Sequence, residues 1–220
     1  MSHGIVSVCG WLVLFFAMTS MTGCSKGLAQ DSTAGRTGSD YPLLLETYGE
    51  DERDALRIKR DTARGRLWVL SLRKSNHVRV YDTANKKLIR QITLPSWFVI
   101  EEATCMPDLI LDRSGSAFIS SNVQARLWRI DADSFEVRVH EFSLRGREER
   151  EMGFGALAFT RKGALYALTS TADSLWNIDV ATASANMIEA YHPPSKVCAL
   201  TTQFLDRLER SRKAWIRPID

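Results

Sequence analysis

Three stretches of the chain decide its fold: residues 63–89 (ARGRLWVLSLRKSNHVRVYDTANKKLI), 113–139 (RSGSAFISSNVQARLWRIDADSFEVRV) and 161–187 (RKGALYALTSTADSLWNIDVATASANM). Laid over one another they align Gly65, Gly115 and Gly163, spaced 50 and 48 residues apart. Farther on they align Asp82, Asp131 and Asp179, spaced 49 and 48. Two landmarks of different chemistry that keep one period mark structural repeats. Runs of β-formers surround them. Leu109–Leu111 and Leu157–Phe159 precede the glycine turn, and Leu67–Ser71, Ala117–Ser120 and Leu165–Thr169 follow it. Val78–Tyr81, Leu127–Ile130 and Leu175–Ile178 each end at the aspartate, and Leu88–Leu94 follows the first of these turns. Such runs, bounded by Gly, Asp, Asn and Ser, predict antiparallel meanders. The aspartates fit turn capping, in which a carboxylate accepts backbone N–H groups. Trp128 and Trp176, with Arg79 at the matching place in the first unit, fit packing between repeats.

Four strands in 40–50 residues is the size of a β-propeller blade. A blade packs on neighbours with both faces, which accounts for strands that are apolar on both sides rather than alternating. The fold class is therefore all-β. Residues 78–95 (VRVYDTANKKLIRQITLP) resemble the YVTN-type propeller repeat, and the second and third units resemble the NHL and gluconolactonase-type pattern, in which a glycine turn leads to Leu-Tyr and Leu-Trp-x-Ile-Asp. The resemblance covers about residues 55–192 and implies a fold, not an activity, because propellers host many functions.

One more period places a first strand at Val197–Thr202 and a second at Ala214–Ile219. Between them, Phe204, Leu205 and Leu208 have the spacing of a short amphipathic helix or loop. Tyr41–Tyr48 is a spare strand that could complete the last blade. The expectation is a small or incomplete β-propeller of about four blades over residues 41–220. It could be a compact ring, a shortened member of a larger family or an open arc.

The segment before these repeats reads as an address. No Lys, Arg, Asp or Glu precedes Cys24, and Ile5–Met18 (IVSVCGWLVLFFAM) is almost wholly apolar. Fourteen helical residues rise about 21 Å, short of a bilayer core of about 30 Å, so the run suits a secretory signal better than a span. Met21-Thr22-Gly23-Cys24 resembles the lipobox of bacterial lipoproteins, with Met in place of the usual Leu. The resemblance implies a signal peptide over 1–23, acylation of Cys24, and anchorage to the periplasmic side of the envelope, with Ser25 compatible with the outer membrane rather than the inner. A plain cleaved signal, or a short anchor helix with an incidental cysteine, is the alternative. Residues 24–40 form the tether, rich in Gly, Ser, Thr and Ala.

The chemistry is sparse. The balance of 29 Lys and Arg against 26 Asp and Glu lacks the basic surplus of a nucleic-acid binder. There is no CxxC, HExxH, GxSxG or GxGxxG pattern; Gly153-Phe154-Gly155 lacks the third glycine, and His77, His140 and His192 are scattered. Export would place Cys105 and Cys198 where a disulfide is permitted. Across a four-bladed centre, however, their strands would lie too far apart, which leaves two buried thiols as the other reading. Glu101, Asp108 and Asn122 are metal candidates by resemblance to gluconolactonase-like propellers, whose oxygen ligands suit Ca2+ or Mg2+; solvated acidic loops are the plainer reading. The charge run at residues 145–151 suits an exposed loop or an electrostatic contact. Two functions follow: a lipid-anchored binding or scaffold module with an envelope protein partner and no cofactor, or a metal-dependent lactonase-like enzyme. An inactive remnant of a longer propeller is a third.

Overall fold

The computed structural model describes residues 56–72, 76–145, 153–188, 191 and 198–215. The expected leader, Cys24, the tether, the spare strand at 41–48, His192 and residues 146–151 of the charge run lie outside them.

Each repeat folds into one antiparallel meander. The first sheet comprises β1 (Leu56–Asp61), β2 (Arg66–Ser71), β3 (His77–Asp82) and β4 (Leu88–Thr93). The second comprises β5 (Leu109–Leu111), β6 (Ala117–Ser120), β7 (Arg126–Ile130) and β8 (Val137–Glu141). The chain then forms β9 (Ser143–Arg145), which pairs in parallel with the outermost strand of the third sheet. That sheet comprises β10 (Phe154–Phe159), β11 (Leu165–Thr169), β12 (Leu175–Asp179) and β13 (Ser184–Met187).

Both landmarks are turn devices. Gly65, Gly115 and Gly163 have φ of 61°, 80° and 90°, a backbone region that costs glycine nothing. They close the hairpins between the first and second strands. One carboxylate oxygen each of Asp82, Asp131 and Asp179 accepts N–H bonds from residues two and three places on, at 2.7–3.1 Å. Four residues after each aspartate, Lys86, Phe135 and Ala183 take φ of 61°, 58° and 51°. The same four-residue loop is therefore built three times, its left-handed residue never glycine. All these turns lie at one end of the sheets, the turn end. The loops between second and third strands lie at the other, the loop end.

The sheets stack face to face. Trp68, Leu70, Val78 and Val80 of the first pack with Leu109, Ile119, Trp128 and Ile130 of the second. Phe118 and Leu127 of the second pack with Phe154, Leu157, Leu165 and Trp176 of the third. Trp128 and Trp176 are thus equivalent wedges, each filling the space toward the preceding sheet. Such side chains carry the stacking energy, at about 25 cal/mol per Å2 of apolar surface removed from water.

The fourth radial position departs from expectation. Cys198–Thr201 form no strand, and Thr202–Trp215 are a helix, α1, which takes in the first two residues of the strand expected at 214–219. The apolar spacing of Phe204, Leu205 and Leu208 wins because it suits a helix. Leu205 is fully buried among Ala156, Ala158, Tyr166 and Leu168, on the face of the third sheet that a further blade would cover. Thr202 donates its hydroxyl to the carbonyl of Phe159, where β10 ends. The strap before α1 therefore runs beside β10. Lys59 and Arg60 of β1, Ile110 and Leu111 around β5, Leu157–Phe159 of β10 and Leu200–Thr202 of the strap line one channel of about 430 Å3. Among the described residues four segments line this channel, three of them in sheets.

Asp206 fastens α1. Its carboxylate accepts the side chain of Arg161 and, at 3.1 Å, the Arg161 backbone N–H. The Arg161 side chain, then its N–H, hold that carboxyl below the ordinary value, and Arg210 adds to the effect. A depressed carboxylate contributes stability above its unfolded value, about 3.9, and loses it as pH falls through the folded value. We expect the melting temperature of Asp206→Asn to fall less steeply below about pH 4 than that of the parent, as followed by circular dichroism across the acid range.

Candidate functional site

Asp108 and Ser120 join all three sheets at the axis. Asp108 immediately precedes β5; one carboxylate oxygen accepts the N–H of Leu109 at 2.8 Å and the other the N–H of Leu157 on β10 at 3.1 Å. Arg57 of β1 approaches the same carboxylate at 4.0 Å. The Ser120 hydroxyl accepts the Asp108 N–H at 2.7 Å and donates to the carbonyl of Gly155 at 2.8 Å. The carboxylate nominated for a metal is thus engaged by one inner strand of each sheet.

The other two candidates point elsewhere. Asn122, buried at the loop end, donates its amide to the Ile100 carbonyl at 2.7 Å and accepts the Ile100 N–H at 3.2 Å. It holds in place the loop that carries Glu101 and Glu102, both exposed. Among the described residues no three His, Cys, Asp or Glu side chains gather into a metal-binding group. Of the three metal candidates, Glu101 is exposed, while Asp108 and Asn122 bond backbone groups of different segments.

Cys105 and Cys198 are joined in a disulfide, with their Cα atoms 5.3 Å apart. The expected separation assumed a fourth sheet. Instead, the connection into the second sheet leans over the third, where the Cys105 N–H donates to the Ser170 carbonyl at 2.7 Å. The strap brings Cys198 to the same place. Gly155 makes this approach feasible, because a Cβ there would overlap that of Cys105. Gly153 does the same for the backbone of Asn122 and Val123. The Gly153-Phe154-Gly155 triplet, which had no phosphate motif to complete, is a close-packing device.

An open feature lies at the turn end, between the second and third sheets. It is a groove of about 1070 Å3. Phe118 and Phe159 meet edge to face in its lining, with centroids 5.4 Å apart, and the Arg129 guanidinium lies 5.7 Å from the Phe118 centroid. His140 shares the lining and stacks on Phe142 at 6.4 Å. Burial pushes its imidazole below the ordinary value, and the charges of Arg129 and Arg138 push it the same way. Across the groove, Asn177 donates to the Leu165 carbonyl. Asp112 and Asp179, also in the lining, are held by the N–H groups of their own turns. Sequence reading saw His140 only as one of several scattered histidines. Arg129 and His140 come together because β7 and β8 are paired, with Leu127 opposite His140 and Arg129 opposite Arg138.

Compared by sequence, the chain matches no protein-family model and no curated protein. Its fold is similar to that of a solved streptogramin B lyase, with a TM-score of 0.50 and 12% identity over 66% of this chain and 43% of that one. The virginiamycin B lyase of Staphylococcus aureus aligns at a TM-score of 0.44 and 13% identity, over 63% of this chain and 41% of that one. A structural genomics protein of unknown function from Bacteroides thetaiotaomicron aligns at 0.45 and 12%, over 63% and 36%. The chain folds as a small or incomplete β-propeller. At these identities the likeness extends to the fold alone, and the chain spans less than half the length of each of these proteins.

Two variants separate the roles of the carboxylate and the disulfide. Asp108→Ala leaves the Leu157 N–H without its acceptor, and we expect a loss of about 1–3 kcal/mol in urea unfolding. Replacing Cys105 and Cys198 together by alanine releases a loop of 93 residues' separation, for which we expect a loss of about 2–5 kcal/mol, read the same way.

Proposed function

We propose that this protein is a lipid-anchored, periplasm-facing binding module that works without catalysis or a bound metal. The observation that carries this reading is how the axial polar groups are used. Asp108 and Ser120 are engaged in holding the sheets together, and Asn122 in holding the loop at Ile100, whereas the groove at the turn end stands open between the second and third sheets. Export and acylation of Cys24 rest on the lipobox-like sequence, and the disulfide supports an oxidising compartment. Several acyl chains, each contributing about 0.8 kcal/mol per buried CH2, would make the attachment durable. The tether of residues 24–40 would let the propeller reach a protein partner in the envelope.

The experiment is metabolic labelling with radioactive palmitate, followed by membrane fractionation. The expected result is label on the parent protein, largely in the outer-membrane fraction, and none on Cys24→Ala. An unlabelled parent overturns the anchor. Elemental analysis of the purified chain tests the binding reading separately: stoichiometric Ca2+ or Mg2+ that survives gel filtration overturns the metal-free module.

A further inference from the structure

We infer that the turn-end groove between the second and third sheets is a binding site for a small organic monoanion, a carboxylate carried on an aromatic body. This deepens the binding-module reading and rests on it.

The groove carries a positive charge that the fold leaves uncommitted. Arg129 and Arg138 lie directly opposite on β7 and β8, a like-charge pairing that costs a sheet stability. Arg138 is relieved by Glu136, its guanidinium donating to both carboxylate oxygens at 3.3 and 3.4 Å. Among the described residues Arg129 has no such carboxylate partner. Asp131 lies within its field, but that carboxylate accepts the N–H groups of Asp133 and Ser134. The Arg129 Nε and the His140 Nε2 are both shielded from water and have no hydrogen-bond partner among the described residues. A shielded polar atom without a partner costs the fold stability. Two of them beside one groove mark a place where a ligand can restore what folding removed.

The chemistry of the lining selects the ligand. The guanidinium fork suits a carboxylate or phosphate. Arg161, also in the lining, is already committed to Asp206, and Arg113 stands exposed at the groove. With His140 held toward its neutral form, the groove offers the half-buried Arg129 guanidinium beside an imidazole. Asp112 and Asp179 in the same lining penalise a second negative charge. A monoanionic carboxylate therefore fits better than a phosphate dianion. The edge-to-face pair of Phe118 and Phe159 offers apolar surface for a flat body. At about 1070 Å3 the groove is slightly larger than the usual range for small-molecule sites, roughly 300–1,000 Å3. Thr202, at the start of α1, belongs to the linings of both the groove and the axial channel, so the disulfide-held strap forms part of the wall.

The test is isothermal titration calorimetry on the purified full chain with three probes of one shape: 1-naphthoate, 1-naphthylmethanol and 1-naphthylmethylammonium. We expect 1-naphthoate to bind at least ten times more tightly than either of the others. We expect Arg129→Gln to weaken it at least tenfold while melting no lower than the parent, because the substitution removes the Arg129–Arg138 opposition. The His140 ring resonances should move on addition of 1-naphthoate. Equal affinity for the three probes, unchanged binding to Arg129→Gln, or no heat at millimolar probe overturns the site. None of these outcomes affects palmitate labelling or metal content, so failure of the groove is distinguishable from failure of the anchored module.

Discussion

A carboxylate and a hydroxyl at the axis hold the three sheets in register. Sheets stacked through side chains alone can slide, because apolar contact is non-directional. Asp108 and Ser120 supply direction: through them the inner strands of the second and third sheets share hydrogen bonds at fixed atoms, and Arg57 brings in the first. The wedges Trp128 and Trp176 then fill the interfaces at a spacing already set. In the same arrangement both Asp108 oxygens already accept backbone N–H groups, from Leu109 and Leu157.

The fold was legible where it depends on local chemistry. Glycines that must adopt positive φ and aspartates that cap their own turns leave marks within a few residues, and their period exposed the repeats. The wedges were legible because a large apolar side chain recurs at one strand position. Lys86, Phe135 and Ala183 were not: each adopts a left-handed conformation without being glycine, and only the capping aspartate four residues earlier accounts for it. The fourth unit was half legible. Its apolar spacing allowed a helix, but extending the repeat by period imposed strands that the sequence does not support.

The candidate site was far less legible, because its parts meet through tertiary structure. Glu101, Asp108 and Asn122 share a residue chemistry that suits cations, yet two of them serve backbone groups that no sequence pattern reveals. A fourth sheet would hold Cys105 and Cys198 apart; the strap shortens the path between them. Arg129 and His140 belong to neighbouring strands of one blade and acquire meaning only once β7 and β8 are paired and the third sheet closes the groove. Nothing in either residue's immediate neighbours announces that.

The short strand β9 carries a consequence for how such a chain could have grown. It lies before the third repeat in sequence but supplies the outer edge of the third sheet, where Ala185 faces Leu144. The unit that repeats in the gene and the unit that packs in space are therefore offset by one strand. A recombination breakpoint placed between the visible repeats, near residue 150, would separate β13 from its parallel neighbour and leave its outward amides and carbonyls open to any extended peptide nearby. Only a breakpoint ahead of residue 143 would transfer a sheet with its margin already sealed.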